Sequence, residues 1–178
     1  TQWSYGIGET WSLMIPNVKG GASAYIGNDN PALENADPRF RSMIAQNNAY
    51  WGDQPGTSGP VYVGAIVCFF FVLGLFVVKG KIKWVLLIAT ILSILLSWGK
   101  NFMGFTDFFL DYFPMYNKFR AVSMTLVIAE VCMPLLAFLA LAEIIKNPDV
   151  LKKNMYYLYV SFGLTAGFCL LFYIIPAV

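Results

Sequence analysis

Four apolar runs of nearly membrane-spanning length constrain this chain more than any other feature. They cover residues 60–78, 82–98, 121–145 and 155–176, and a helix needs about 20 mostly apolar residues to cross a bilayer. The 178 residues are 58% hydrophobic and only 12% charged, a composition unlike that of soluble domains. The sequence therefore predicts an all-α integral membrane protein, a polytopic bundle of about four transmembrane helices.

A polar region of 59 residues precedes these runs. Glycine and proline recur through it, which indicates turns and short elements rather than long helices. Its many tryptophans and tyrosines are rare in disordered segments and collect at membrane interfaces. We therefore expect a structured extracytoplasmic loop over residues 1–59, with a short helix near 38–44, followed by a transmembrane region over 60–178.

The distribution of lysine predicts the orientation of the chain. Segments 79–83 and 146–153 hold six lysines and one acid, whereas the longer segments 1–59 and 99–120 hold six basic and seven acidic residues. Cytoplasmic loops carry an excess of lysine and arginine. The two lysine-rich turns should be cytoplasmic, and the other two segments should lie on the opposite side.

Segment 99–120 has the pattern of a short interfacial helix over about 101–113. Phenylalanines and a tyrosine surround Asp107 and Asp111, and Pro114 should end the helix because the residue before a proline avoids helical geometry. The two aspartates stand four residues apart and so share a helix face. They are candidates for binding a divalent cation through oxygen ligands, and a solvated helix face is the alternative.

Glu130 lies deep within the third apolar run, where a charge is costly and usually faces the protein interior or a cavity. Ser123, Val127, Glu130, Pro134 and Ala137 follow helical spacing, so we expect this face to turn into the bundle. Three interpretations remain open for Glu130: a proton-coupled site in a transporter, a structural hydrogen-bond partner, or part of a groove for a lipid donor.

Other function classes lack support in the composition. The chain has no histidine, which removes the commonest general base and metal ligand. Cys68, Cys132 and Cys169 all fall within apolar runs, where thiols usually pack as small hydrophobes, so neither a disulfide framework nor a zinc site is expected. The net charge of +2, without a basic stripe, gives no reason to expect nucleic acid as a partner.

Four short stretches resemble the YfhO-like bacterial membrane proteins: TQWSYG at 1–6, IPNVKGG at 15–21, YWGDQ at 50–54 and YNKFR at 116–120. That family is similar to the GT-C glycosyltransferases. The resemblance implies a bacterial inner-membrane enzyme that uses a polyprenyl-phosphate-linked sugar on the outer face to glycosylate a cell-envelope acceptor. It also implies an internal piece of a longer chain that lacks the usual catalytic acid and is inactive alone.

A transferase of this kind needs cations to bind the donor phosphate, because they stabilise it as it leaves. Lys118 and Arg120 lie just before the third apolar run and are the candidates. The alternative is that both side chains anchor the end of the helix by reaching lipid headgroups.

An acceptor sugar needs polar groups, a flat aromatic surface and a base for its hydroxyl proton. Tyr50, Trp51 and Gln54 are candidates for acceptor binding, and Glu9 and Asp53 for catalysis. The alternative is that they are turn residues and interface anchors. The expected partners are the bilayer, the lipid-linked sugar, and the rest of a longer chain or other membrane subunits.

Two other functions remain open from the sequence. One is a transporter or flippase with Glu130 in its pathway, and the other is a noncatalytic subunit of a membrane complex. The candidate cofactor is a divalent cation.

Overall fold

Helices dominate the fold. The computed structural model describes residues 3–57, 59, 61–114, 116–118 and 121–174, except for the side chains of Ala32 and Asn117. The α-helices are α1 (Arg41–Ala45), α2 (Ala65–Val77), α3 (Ile82–Ser97), α4 (Met103–Tyr112), α5 (Val127–Lys146), α6 (Asp149–Lys153) and α7 (Met155–Ile174). Short 3-10 helices cover Gly8–Leu13, Pro31–Asn35, Gly99–Phe102, Tyr116–Lys118 and Val122–Leu126.

Two helical segments are long and apolar enough to cross a membrane. They are Val122–Lys146, which includes α5, and Met155–Ile174, which is α7. A third span results if α3 and the segment Gly99–Tyr112, which meet at an angle of 105°, count as one broken span. The prediction of a mostly helical fold with apolar helices of spanning length is thus confirmed, whereas the count of four is not.

The first apolar run forms a shorter helix than its composition suggests. Its helix, α2, begins only at Ala65, because the preceding residues pair with the backbone of the polar region. The amides of Val63 and Gly64 both donate to the carbonyl of Leu13 at 3.0 Å. Gly64 has a φ of 113°, a left-handed value that favours glycine and that interrupts the helix.

Helix α5 is the centre of the bundle, with α2 and α3 packed against it and α7 packed on α2. The backbones of α2 and α5 come close at Gly74, where an added Cβ would lie only 2.9 Å from Leu136 Cγ. Small and apolar side chains of α5 form its buried face, namely Ala129, Met133, Leu136 and Ala140.

The predicted orientation of Glu130 is wrong for the part of the chain that the structure describes. Helix α5 continues through Pro134, but Glu130 and Val127 are exposed, and only Ala137 among the other members of that face is fully buried. The buried face contains the small alanines instead, because they allow α2 and α3 to approach closely.

The polar region before α2, called here the N-terminal region (residues 3–57), is folded and contains a sheet that was not predicted. Strand β1 (Gly20–Tyr25) pairs antiparallel with β2 (Asn48–Tyr50), with Gly20 opposite Tyr50 and an irregular register further along. The short helix expected near 38–44 appears as α1. The sheet escapes the sequence pattern because its strands are short and one begins with two glycines.

The segment after α3 turns sharply into α4, which agrees closely with the helix predicted over 101–113. Thr106 is buried and donates its hydroxyl hydrogen to the Gly99 carbonyl at 2.7 Å, which holds α4 against the turn. Asp107 and Asp111 are both exposed on α4. Aromatic rings pack in sequence from Phe102, just before α4, to Phe105 and Phe109 within it.

Candidate functional site

The N-terminal region is attached to the end of α3 by hydrogen bonds between distant parts of the sequence. The amide of Tyr5 donates to the Ser97 carbonyl at 2.8 Å, and the amide of Lys100 donates to Ser4 Oγ at 3.0 Å. Ser4, Tyr5 and Ser97 are all completely buried. These bonds fix the position of the first turn, from which the carboxylate of the site projects.

Glu9 is the buried centre of this region, with an exposed fraction of 1%. Its Oε2 accepts a hydrogen bond from the Gly6 amide at 2.5 Å, and its Oε1 accepts one from the Tyr50 hydroxyl. That hydroxyl in turn accepts a bond from the Gln54 amide at 3.0 Å. A Cβ at Gly52 would overlap both Glu9 and Tyr50, so the close approach of the backbone requires glycine here. Both carboxylate oxygens are therefore occupied by protein donors.

A polar cavity of about 200 Å³ opens beside this carboxylate. Two acids, a lysine, a tryptophan and three glycines line it. The lining residues are Gly6, Gly8, Glu9, Lys19, Trp51, Gly52 and Asp53.

Asp53 is the exposed acid of the cavity. Its Oδ2 accepts a hydrogen bond from Asn101 Nδ2 at 3.1 Å, and the same amide group donates to the Tyr5 carbonyl at 2.9 Å. The backbone carbonyl of Asp53 accepts from Lys100 Nζ at 3.2 Å. The turn that follows α3 thus orients this side chain while leaving part of its carboxylate open to solvent.

The two carboxylates face a common point near Gly6. A Cβ built on this glycine would lie 2.8 Å from Asp53 Oδ2 and 3.0 Å from Glu9 Oε2. Any larger residue would therefore occupy the space between the acids. The two acids can approach each other this closely only because residue 6 has no side chain.

Lys19 is the lining residue that reasoning from the sequence missed. It makes no ion pair with an acid of the described residues, although two carboxylates share its cavity. Its carbonyl accepts the Trp51 amide at 2.8 Å, and Trp51 is 71% exposed. The sequence carries no clear signal for it, because Lys19 is the one charged residue of the stretch 15–21 and stands next to two glycines.

The buried phenols at this site predict a loss of stability at high pH. Burial, with a further contribution from the charge of Glu9, raises the pKa of Tyr5 from 10.0 to about 12. Burial and the bond to Glu9 also raise the pKa of Tyr50. A pKa that is raised on folding gives stability that is complete below pH 10.0 and is lost as pH rises toward 12. Tyr5→Phe should therefore reduce the loss of folding stability at high pH. Tyrosinate absorbance and near-ultraviolet circular dichroism, recorded together as pH rises, measure this change.

The matched control for that titration is Tyr25→Phe, which changes an exposed tyrosine of β1 and should leave the high-pH transition where it is. A Tyr5→Phe variant that follows the wild-type curve would show that Tyr5 does not contribute.

The structure brings together five candidates from the sequence, because Glu9, Tyr50, Trp51, Asp53 and Gln54 all lie at or beside the cavity. Gln54 contributes through its backbone amide.

The other candidates lie elsewhere. Lys118 is exposed in the 3-10 helix Tyr116–Lys118 and is not among the cavity residues. Arg120 lies outside the described residues. Asp107 and Asp111 are exposed on α4, and the described residues contain no group of three or more acids, cysteines or histidines that could hold a metal ion.

No family model, curated protein or solved structure matches this chain. Fold and site together define a mostly helical chain with apolar helices of membrane-spanning length and a folded polar region that carries a cavity with two carboxylates. Any more specific function has to be argued from the chemistry of that cavity.

Proposed function

We propose that this chain is part of a bacterial polytopic membrane glycosyltransferase of the GT-C type. It would use a polyprenyl-phosphate-linked sugar on the outer face of the inner membrane to glycosylate a cell-envelope acceptor. The observation that supports this proposal is the polar cavity, in which Glu9 and Asp53 approach a common point beside the exposed ring of Trp51.

The cavity suits a small ligand rich in hydroxyl groups. Its volume of about 200 Å³ corresponds to about seven water molecules at their share of the liquid. Carboxylates accept hydrogen bonds from hydroxyls, and the Lys19 ammonium can only donate them. The Trp51 ring offers a flat apolar surface for the C–H face of a sugar. We assign the cavity to the acceptor.

The two acids have different roles in this proposal. Glu9 is buried and holds the Gly6 amide and the Tyr50 hydroxyl, so it positions the cavity wall. Asp53 is exposed and accepts a single amide bond at its side chain from the described residues, which leaves it able to take a proton. Asp53 removes the hydroxyl proton while the acceptor oxygen bonds to the sugar carbon and the phosphate leaves with the electrons of the broken C–O bond. Lys118 and Arg120 remain the predicted cations for that phosphate.

The same proposal gives the chain an orientation in the membrane. Helices α5 and α7 cross the bilayer, and the N-terminal region lies outside the cytoplasm together with segment 99–120. The angle of 105° between α3 and the segment that follows gives α4 an orientation close to the membrane plane if α3 stands upright. The lysine-rich turns at 79–83 and 146–153 are then cytoplasmic.

A substitution at Asp53 tests the proposal. Membranes that contain the protein in its full-length form are supplied with radiolabelled polyprenyl-phosphate-linked sugars, and transfer of label to envelope polymer is measured. Asp53→Asn should lower the initial rate by about 100-fold or more, since a positioned general base contributes a factor of this order. Asp29→Asn, at an exposed acid of the same region, is the matched control and should retain the wild-type rate.

Transfer at the wild-type rate by Asp53→Asn would contradict the assignment of the base. No transfer by the wild-type protein from any of the sugars offered would count against the transferase itself. The transporter alternative has no comparable support among the described residues, since Glu130 lines neither the polar cavity nor the apolar groove between α2 and α7. A noncatalytic subunit stays an alternative that this assay also addresses.

A further inference from the structure

The two lysine-rich turns meet at one end of the helix bundle. Lys79 Nζ, just after α2, lies 3.7 Å from Glu143 Oε1 near the end of α5. The ring of Phe76 stacks on that of Tyr157 near the start of α7, with centroids 5.1 Å apart. Segments that are far apart in sequence therefore place their lysines on a single surface, called here the lysine end (residues 79–83 and 146–153).

The acids of this surface are already engaged. Glu143 pairs with Lys79 and also accepts a hydrogen bond from Asn147 Nδ2 at 2.9 Å. Asp149 lies 3.7 Å from Lys152 Nζ. Six lysines thus share the surface with Asp149 and with the adjoining Glu143, and both acids are satisfied by neighbouring side chains.

Four of these lysines have no acidic partner within the described part of the chain, and three of the four also make no backbone contact that would engage the ammonium group. Lys81, Lys146 and Lys153 are exposed and take part in neither ion pair. Lys83 differs, because its Nζ donates to the Leu75 carbonyl at 2.8 Å and so caps the end of α2. The surface therefore carries positive charge that no acid of the described residues neutralises.

Apolar and aromatic side chains surround these charges. Trp84, Tyr156, Ile82, Ile145 and Met155 are all exposed next to the lysines. Tryptophan and tyrosine collect where a bilayer meets water. A partner that fits this surface has negative charge and an apolar part beside it, which is the chemistry of an anionic phospholipid and not of free phosphate.

We propose that the lysine end binds the headgroups of anionic phospholipids, with Lys81, Lys146 and Lys153 contacting the phosphate. Basic residues next to a membrane helix attract such lipids electrostatically. The exposed aromatic and aliphatic side chains lie against the acyl chains. This inference is independent of the transferase proposal, since it requires only that the helices lie in a membrane.

Lipid binding to the purified protein tests the inference. The protein in mild detergent is titrated with phosphatidylglycerol or phosphatidylcholine, and bound lipid is measured by native mass spectrometry. Phosphatidylglycerol should bind at least about tenfold more tightly. The triple change Lys81→Gln, Lys146→Gln and Lys153→Gln should weaken its binding on the order of 100-fold, since each lysine contributes about fivefold.

Two control variants distinguish binding at the lysine end from a general effect of the protein's positive charge. The corresponding triple change to arginine keeps the cations and should bind phosphatidylglycerol as the wild type does. The double change Arg39→Gln and Arg41→Gln removes cations from the N-terminal region and should have little effect, whereas the double change Lys81→Gln and Lys146→Gln should weaken binding about 25-fold. If the glutamine triple does not fold, the three single changes are measured, each with a loss of about fivefold.

Equal binding of the two lipids would overturn the proposal, and so would wild-type affinity in the glutamine variants at the lysine end. Displacement of phosphatidylglycerol by an equal concentration of inorganic phosphate would identify a free-phosphate site and would also overturn it.

Discussion

Replacing Glu9 with alanine should unfold the N-terminal region around the polar cavity. The change leaves the Gly6 amide and the Tyr50 hydroxyl without their acceptor in a buried site. Each lost bond to a charged group costs about 1.5–3 kcal/mol, so the total is about 3 kcal/mol or more. Hydrogen exchange of the amides in residues 3–57 should accelerate strongly, while exchange in α5 should change little.

Two further variants sharpen the test at Glu9. Glu9→Gln keeps the volume but presents an NH₂ group to one of the two donors, so its effect should be intermediate, about 1–2 kcal/mol. Glu34→Ala removes an exposed acid from the same region and should leave exchange unchanged. Wild-type exchange in Glu9→Ala would show that the buried carboxylate does not hold the region together.

Gly99→Ala should loosen the junction between the N-terminal region and the helices. Gly99 has a φ of +44°, and a Cβ there would overlap Ser4 Oγ and lie 2.6 Å from Val122 Cγ2. The left-handed backbone costs a side chain about 1–2 kcal/mol, and forcing atoms into a packed site adds about 1–3 kcal/mol. The midpoint of thermal unfolding in detergent should fall, and the fluorescence of Trp3 and Trp98 should change with it.

Gly104→Ala is the matched control for Gly99. It lies five residues further along, inside α4, and an added Cβ would meet nothing within 4 Å. Alanine favours a helix over glycine by about 1 kcal/mol, so this variant should be as stable as the wild type or slightly more stable. Equal stability of the two alanine variants would mean that the crowding at Gly99 has no energetic consequence.

Some of the contacts behind these predictions can be predicted from the sequence, and others cannot. The run at 82–98 became α3 (Ile82–Ser97) and the run at 155–176 became α7 (Met155–Ile174), because helix formation there follows from uninterrupted local apolarity. The helix in the run at 60–78 starts later than the run itself. Its first residues are not helical because the amides of Val63 and Gly64 donate hydrogen bonds to Leu13, a residue about 50 positions away.

The candidate site also combines features that the sequence indicates with features that only the structure shows. Residue type was enough to select Glu9, Asp53 and Trp51, which the structure places around one cavity. It could not indicate Lys19, which lies by itself in a glycine-rich stretch. It also could not separate the roles of the two acids, because these depend on Tyr50 and Asn101, which are 41 and 48 residues away from their partners.

The sequence by itself thus determined which segments are apolar helices and which residue types are available for chemistry, because both are local properties of the chain. The tertiary structure alone decided that Glu130 is exposed, that β1 and β2 pair, and that six lysines form one surface. Each of these outcomes depends on how closely distant backbones can approach. For example, Gly52 lies against Glu9 and Gly74 against Leu136, and these neighbours are distant in sequence and meet only after folding.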